Sequence, residues 1–379
     1  MRPVAVLGAT GSIGRQTLEV IAEMEAEVAA IAARRGSREL WDLATAHPQA
    51  RIGVAAPTPT ERDQFGGLGS RVVFGDEAVA SLAGEPGIIV VNAVVGVAGL
   101  KASLVAAEAG NRLALANKES MVAGGPVVGA ALAAGGGELI PVDSEHSALF
   151  QLLAERKPGE VRRLVLTASG GPFRGMTADQ VADVTPEQAL RHPTWQMGPR
   201  ITIDSATLMN KALEVIEAHH LFGFPYDAIE VVVHPQSLVH GVVELSDGAL
   251  LAHFCDPDMR IPIRYALTHP ERGTRRAPHF PLAATSLTFE PPDLETFPAL
   301  RLGYEAGRAG GSAPAVLNAA DEIAVQAFLT GRIGFASIAV VVERTLNDVP
   351  VGPVESVGQV LEADLEARLV ATGHLGNSC

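Results

Sequence analysis

The stretch Val4-Ala5-Val6-Leu7-Gly8-Ala9-Thr10-Gly11-Ser12-Ile13-Gly14 decides how the first third of the chain folds. Four apolar residues make a short strand. Glycines follow at GxxGxxG spacing, and residues 16–22 then place Leu18 and Ile21 at helical spacing. Glycine lets a backbone turn tightly between strand and helix and approach a pyrophosphate, which the free N–H groups at the helix start can bind. A ligand-free glycine turn has the same spacing; the strand before it and the helix after it favour the dinucleotide reading. Further apolar runs lie at residues 28–32, 72–74, 88–91 and 113–116. Short buried strands alternating with helices predict a parallel sheet covered on both faces, with right-handed crossovers and a doubly wound order.

The second strand runs into Ala32-Ala33-Arg34-Arg35-Gly36-Ser37. A site for NADH would carry an acid there for the ribose hydroxyls. This segment has no acid and two guanidiniums, which suit a 2′-phosphate by charge-assisted bonds, so NADPH is expected over NADH. The alternative is a solvated charged face.

Composition narrows the rest. The chain has 379 residues, 29 Lys+Arg against 43 Asp+Glu, and a net charge of −14, which argues against nucleic-acid binding and against a polybasic membrane anchor. With 47% hydrophobic residues it can bury a core, and its length allows two or three domains. Cys255 and Cys379 are the only cysteines, so no disulfide framework is expected and a reducing, cytoplasmic setting fits. No signal peptide is read at the N-terminus. Residues 87–100 are interrupted by Asn92, Gly96 and Gly99, short of the roughly 18 apolar residues of a membrane helix, so a soluble protein is expected.

Beyond residue 150 the pattern changes. Residues 164–166 and 229–233 read as strands, and 239–251 as a hairpin turning at Ser246-Asp247-Gly248. Between them, residues 169–200 are rich in glycine and proline with little periodicity, and read as a lid. Pro278, Pro281, Pro291, Pro292 and Pro298 mark an extended connector. Residues 313–329 and 336–346 are Ala-rich with helical spacing; the last thirty or so residues carry no motif.

Two groups of acids stand out. In Pro141-Val142-Asp143-Ser144-Glu145-His146 an extended backbone would point Asp143 and Glu145 to one side, either to hold a hard divalent cation or simply as an exposed strand face. In residues 203–214, Asp204 or Ser205 can cap a helix on which Asn210, Lys211 and Glu214 face one site. A solvated Lys211–Glu214 pair is the plainer reading.

The order of GATGSIG, ANKES (116–120), PVDSEHSA (141–148), SGGPFR (169–174), RHPTWQMG (191–198), DSATLMNKALE (204–214), HPQS (234–237), PDMRIPI (257–263) and LNAADE (317–322) resembles the 1-deoxy-D-xylulose 5-phosphate reductoisomerase family of non-mevalonate isoprenoid synthesis. The resemblance implies an α/β protein: an N-terminal Rossmann-like doubly wound parallel sheet for NADPH (1–143), an α+β catalytic, metal-binding and dimerisation domain (144–272) with its lid at 169–200, a linker (273–298) and a C-terminal α-helical domain (299–379). It implies rearrangement of a small phosphorylated ketose to an aldehyde and reduction by NADPH, with Mg²⁺ or Mn²⁺, in a homodimer.

By matched motif, Asp143, Glu145 and Glu214 are the metal ligands. Ser169, Ser205, Asn210, Lys211 and His192 hold the substrate phosphate. Lys118 and Ser144 contact the substrate backbone, and Trp195 covers the site. Thr10, Gly11, Ser12, Ile13, Ala33, Arg34, Arg35, Asn117, Glu119 and Gly198 hold NADPH. The catalytic set is Lys118, Glu145, His192, Lys211 and Glu214. Ala33, Ala212 and Cys255 stand where the family commonly has glycine. Two other readings compete: a semialdehyde dehydrogenase using Cys255 as thiolate, and a nucleotide-sensing protein without turnover.

Overall fold

The computed structural model describes residues 1–157, 159–274 and 280–376; Pro278 of the expected connector and Cys379 lie outside the described residues. In chain order the strands are β1 (Val4–Leu7), β2 (Val28–Ala33), β3 (Arg51–Val54), β4 (Val72–Phe74), β5 (Ile89–Asn92), β6 (Arg112–Leu115), β7 (Glu138–Pro141), β8 (Val161–Ala168), β9 (Ile229–Val233), β10 (Val239–Leu245) and β11 (Leu250–Phe254). The helices are α1 (Ser12–Glu23), α2 (Arg38–Ala46), α3 (Pro59–Gly66), α4 (Asp76–Ser81), α5 (Leu100–Glu108), α6 (Lys118–Gly135), α7 (Ser144–Leu153), α8 (Ala178–Ala182), α9 (Pro186–Ala189), α10 (Pro199–Thr207), α11 (Met209–Phe222), α12 (Arg260–Thr268), α13 (Ala299–Ala309), α14 (Ala313–Leu329), α15 (Ser337–Asp348) and α16 (Val357–Leu375).

Two compact units form. The first holds Met1–Ser120, Val127–Ser147 and the segment from Asp258 onward. Its seven parallel strands run in the order β4-β3-β2-β1-β5-β6-β7. β1, β5 and β6 are buried at every position, as strands covered on both faces must be. The order reverses between β1 and β5, and the crevice at such a switch point is where α/β sheets take ligands. α12 was not foreseen as an element. It returns to this unit and packs against α1, where Arg264 pairs with Glu23 and Arg260 lies 3.6 Å from Glu19.

The second unit holds Met121–Pro126, Ala148–Pro257 and the chain from Phe280 on. Its sheet runs β11-β10-β8-β9, with β8 and β9 parallel and the β10–β11 hairpin antiparallel, as its turn residues predict. β9 alternates buried and half-buried positions, the signature of a sheet with one covered face. The core joins Leu164, Leu166 and Val231 to Leu213 and Ile216 of α11 and to Leu317 and Phe328 of α14. Ala212 is accommodated here by a glycine on the opposing helix: a Cβ on Gly303 of α13 would lie 2.4 Å from that of Ala212.

Phe173, Val181, Val184 and Ala189 also enter this core, so much of the segment expected as a lid is packed. Its irregular parts are the turn at residues 169–177, a short break at 183–185 and residues 190–198. No helix among the described residues is long and apolar enough to cross a membrane.

Candidate active site

In the first unit the glycine turn is explained position by position. Gly8 has φ +87°, and a Cβ there would meet the Ala93 carbonyl oxygen at 2.3 Å. A Cβ on Gly14 would lie 2.3 Å from the Gly8 oxygen, so the start of α1 can approach β1 this closely only without a side chain. Gly11 is the N-cap of α1 and makes no side-chain cap, leaving Ser12 and Ile13 in the first turn with N–H groups that have no partner inside the helix.

At the end of β2 the two arginines differ. Arg35 pairs with Glu61 at 3.1 Å, and Glu61 also closes the capping box of α3 with Thr58. Arg34 is exposed and has no ion pair among the described residues. Ala33 ends β2 with its side chain buried.

Asn117 and Glu119 are buried and tie the loop after β5 to the start of α6. Asn117 Nδ2 donates to the carbonyls of Val94 (2.8 Å) and Gly96 (2.9 Å), and Glu119 Oε1 accepts from the Gly96 N–H (3.0 Å). Both hold the switch-point loop in place.

The acids of this unit follow β7. The extended reading of residues 143–145 is corrected here: β7 stops at Pro141, and Glu145 lies in the first turn of α7. The carboxylates still face one another, with an oxygen of each within 4.8 Å of the other. Lys118 Nζ lies 2.7 Å from Asp143 Oδ2, and His146 Nδ1 3.8 Å from Oδ1. Burial would push the Asp143 carboxyl up, but the Lys118 ammonium, helped by His146, holds it well below the usual carboxylate range. Ser144 Oγ donates to Glu145 Oε2 at 2.6 Å. Sequence reasoning missed His146, although its spacing of three from Asp143 on a helix start was the available signal.

In the second unit, Ser205 is not a helix N-cap. Gly198 caps α10, Pro199 is its first residue, and Asp204 and Ser205 lie inside it. The chain then breaks at Leu208, which is left-handed at φ +63°, and α11 starts at Met209. A non-glycine residue in this region costs about 1–2 kcal/mol, and here it separates Ser205 from Asn210 and Lys211. On α11 the predicted face forms: Asn210 Nδ2 donates to Glu214 Oε1 (2.5 Å), and Lys211 Nζ lies 2.5 Å from Oε2 of the same buried carboxylate.

His192 Nε2 sits 3.0 Å from Ser169 Oγ and 3.1 Å from Ser205 Oγ. Its Nδ1 accepts the backbone N–H groups of Thr194 (3.1 Å) and Trp195 (2.9 Å). A nitrogen accepting two N–H groups carries no proton, so the hydrogen is on Nε2 and points between the two serines. Burial lowers the His192 pKa, which keeps the ring neutral near pH 7. The Trp195 ring lies edge-on to His240 of β10, with centroids 6.2 Å apart. Gly198 contributes only the cap of α10 within this unit.

A seven-stranded parallel sheet with a glycine turn at its switch point is the architecture of dinucleotide-dependent oxidoreductases, and the oxygen-rich acids and the serine–histidine group are donor sets of the kinds that suit a hard cation and an anion. Residues 4–125 match the family model for 1-deoxy-D-xylulose 5-phosphate reductoisomerase, and 139–222 and 254–370 match two models of its C-terminal domain. The chain is 50% identical over 377 residues to the 1-deoxy-D-xylulose 5-phosphate reductoisomerase of Xanthomonas campestris pv. campestris (strain 8004), covering 97% of this chain and 95% of that one. It superposes on the Zymomonas mobilis enzyme in complex with NADPH with a TM-score of 0.90 at 42% identity, covering 99% of each chain. It also superposes on a reductoisomerase in complex with NADPH, fosmidomycin and magnesium, with a TM-score of 0.92 at 37% identity, covering 99% of this chain and 98% of that one. The chain belongs to the 1-deoxy-D-xylulose 5-phosphate reductoisomerase family. Membership sets aside both the Cys255 thiolate mechanism and the turnover-free sensor.

Proposed function

We propose that this protein rearranges 1-deoxy-D-xylulose 5-phosphate and reduces the product with NADPH to 2-C-methyl-D-erythritol 4-phosphate, using Mg²⁺ or Mn²⁺, as an isoprenoid-precursor enzyme of the cytoplasm. The observation that carries this reading is the match to reductoisomerases along essentially the whole chain. The donor set fits the metal: Asp143, Glu145 and Glu214 offer only carboxylate oxygen, which suits a hard cation better than zinc. When bound, such a cation supplies Lewis-acid polarisation of the substrate oxygens.

The chain's own residues supply the rest. Ser169, Ser205 and the Nε2–H of His192 donate to the phosphate, joined by Asn210 and by the ammonium of Lys211. This phosphate takes no part in bond making, so its binding energy serves to orient the ketose. Lys118 and Ser144 hold the ketose backbone, and Trp195 excludes water when residues 190–198 close. NADPH is held by residues 10–13, by Ala33, Arg34 and Arg35, and by Asn117, Glu119 and Gly198, with Arg34 as the main reader of the 2′-phosphate because Arg35 is engaged by Glu61.

The working form is a homodimer. β11 is an edge strand whose Leu250 and Phe254 are exposed, the kind of surface that proteins cover by pairing. Following the absorbance of reduced nicotinamide on adding the phosphorylated ketose tests the activity. Consumption that stops with chelator and returns with Mg²⁺ or Mn²⁺ is expected; consumption indifferent to chelator would overturn the metal assignment.

A further inference from the structure

At Arg200 the second unit gathers charge that the proposed chemistry does not use. Arg200 is the second residue of α10. Its Nη1 donates to Glu322 Oε1 (2.8 Å) and its Nη2 to Asn318 Oδ1 (2.7 Å), both on α14. Nη2 also lies 3.5 Å from Asp321 Oδ2, and Nε 3.6 Å from Asp204 Oδ2 one turn along α10. The other oxygen of Glu322 accepts from Arg368 of α16, which is gripped in turn by Asp364. Asp204 and Asp321 are buried. Burial pushes the Asp321 carboxyl up to about 6 against the pull of Arg200, so the network carries a desolvation cost.

An apolar contact would join these helices at lower cost. What a forked guanidinium adds is direction, because bonds to two or more fixed acceptors define both the position and the rotation of the helix that bears it. α10 is nine residues long and ends at the left-handed Leu208. The side chain it presents to the anion site is Ser205, whose Oγ must stay near His192 Nε2.

We propose that Arg200, locked by Asn318, Asp321 and Glu322, is a positioning residue that fixes Ser205 in the phosphate site, so that α14 and α16 contribute to substrate affinity without touching substrate. This rests on the reading of Ser169, His192 and Ser205 as phosphate ligands. Arg174 provides an internal control. It forms a two-toothed pair with Glu290 at the other root of the same segment, but in the open, with both side chains more than two-fifths exposed. Exposed pairs contribute little.

The test is steady-state kinetics on the full-length enzyme with saturating metal. Arg200→Ala and Glu322→Gln should each raise KM for the phosphorylated ketose about tenfold, the size of weakening one hydrogen bond to a charged group. They should leave kcat and KM for NADPH within about twofold. Arg200→Lys should recover part of the loss, and Arg174→Ala should match the parent. Adding Arg200→Ala to Ser205→Ala should worsen KM little beyond Ser205→Ala alone, because both act through one contact. Ser205→Ala with a raised KM beside Arg200→Ala or Glu322→Gln with a normal one would overturn the positioning role and leave the phosphate assignment standing. An unchanged KM in Ser205→Ala would overturn the phosphate assignment itself, and this proposal with it. Should Arg200→Ala fail to fold, Arg200→Lys and Glu322→Gln carry the test. A parallel fall in kcat, both affinities and Tm in these variants would mark a structural brace and overturn the proposal.

Discussion

The glycine turn after β1 and the Ser169–His192–Ser205 group of the second unit both present hydrogen-bond donors suited to phosphate, yet they are built in opposite ways. The first is backbone: seven consecutive residues whose only demand is the absence of side chains at Gly8 and Gly14. The second is side chain: three residues spread over 37 positions of sequence, aligned by two backbone N–H groups that set a histidine tautomer. A backbone site tolerates no added atom where it is tight. A side-chain site can lose members one at a time, with graded loss.

That contrast can be broken most sharply at Gly14→Val. The new side chain would start 2.3 Å from the Gly8 oxygen, where only backbone movement can relieve it. NADPH binding, measured by fluorescence titration, should fall by more than about a hundredfold, with a stability loss of about 1–3 kcal/mol or more by thermal melting. Retained binding would show that the turn is looser than its geometry. Ser169→Ala should do less. It removes one donor to a charged group, about 1.5–3 kcal/mol, and should raise KM for the ketose phosphate by roughly 10- to 100-fold while NADPH binds as before. The smallest effect lies between the arginines. Arg34→Ala should reduce the preference for NADPH over NADH by about five- to tenfold, and Arg35→Ala by less, because Glu61 already engages Arg35. Equal effects would return the 2′-phosphate role to the pair.

The same contrast governs what could be read in advance. Most of the first unit was legible, though not β3 or α12, because its signals are local: an apolar run, a glycine turn and a helix within 23 residues, followed by further short apolar runs. The β10–β11 hairpin and α14 were legible for the same reason. α16 was not. Leu361, Leu365 and Leu369 are exposed, while Asp364, Ala367 and Ala371 face the core, so its apolar spacing marks the wrong face. The break at Leu208 was hidden too, because a leucine in the left-handed region has no local signature, whereas Pro199 did mark the true start of α10. For the proposed metal and phosphate ligands, pattern left Asp143 and Glu145, and the Asn210–Lys211–Glu214 face, as open alternatives; matched motifs supplied the full sets. Arg200 lies 118 and 122 residues from Asn318 and Glu322, a pairing that no window of sequence can contain.

α12 carries a last consequence, for the order in which a ribosome releases this polypeptide. The helix that grips α1 through Arg264 and Glu23 is translated only after Ala148–Pro257 has emerged. The first unit therefore cannot be completed as an early, independent intermediate, and the nascent chain must keep one side of its first helix uncovered while about half of the second unit is being synthesised.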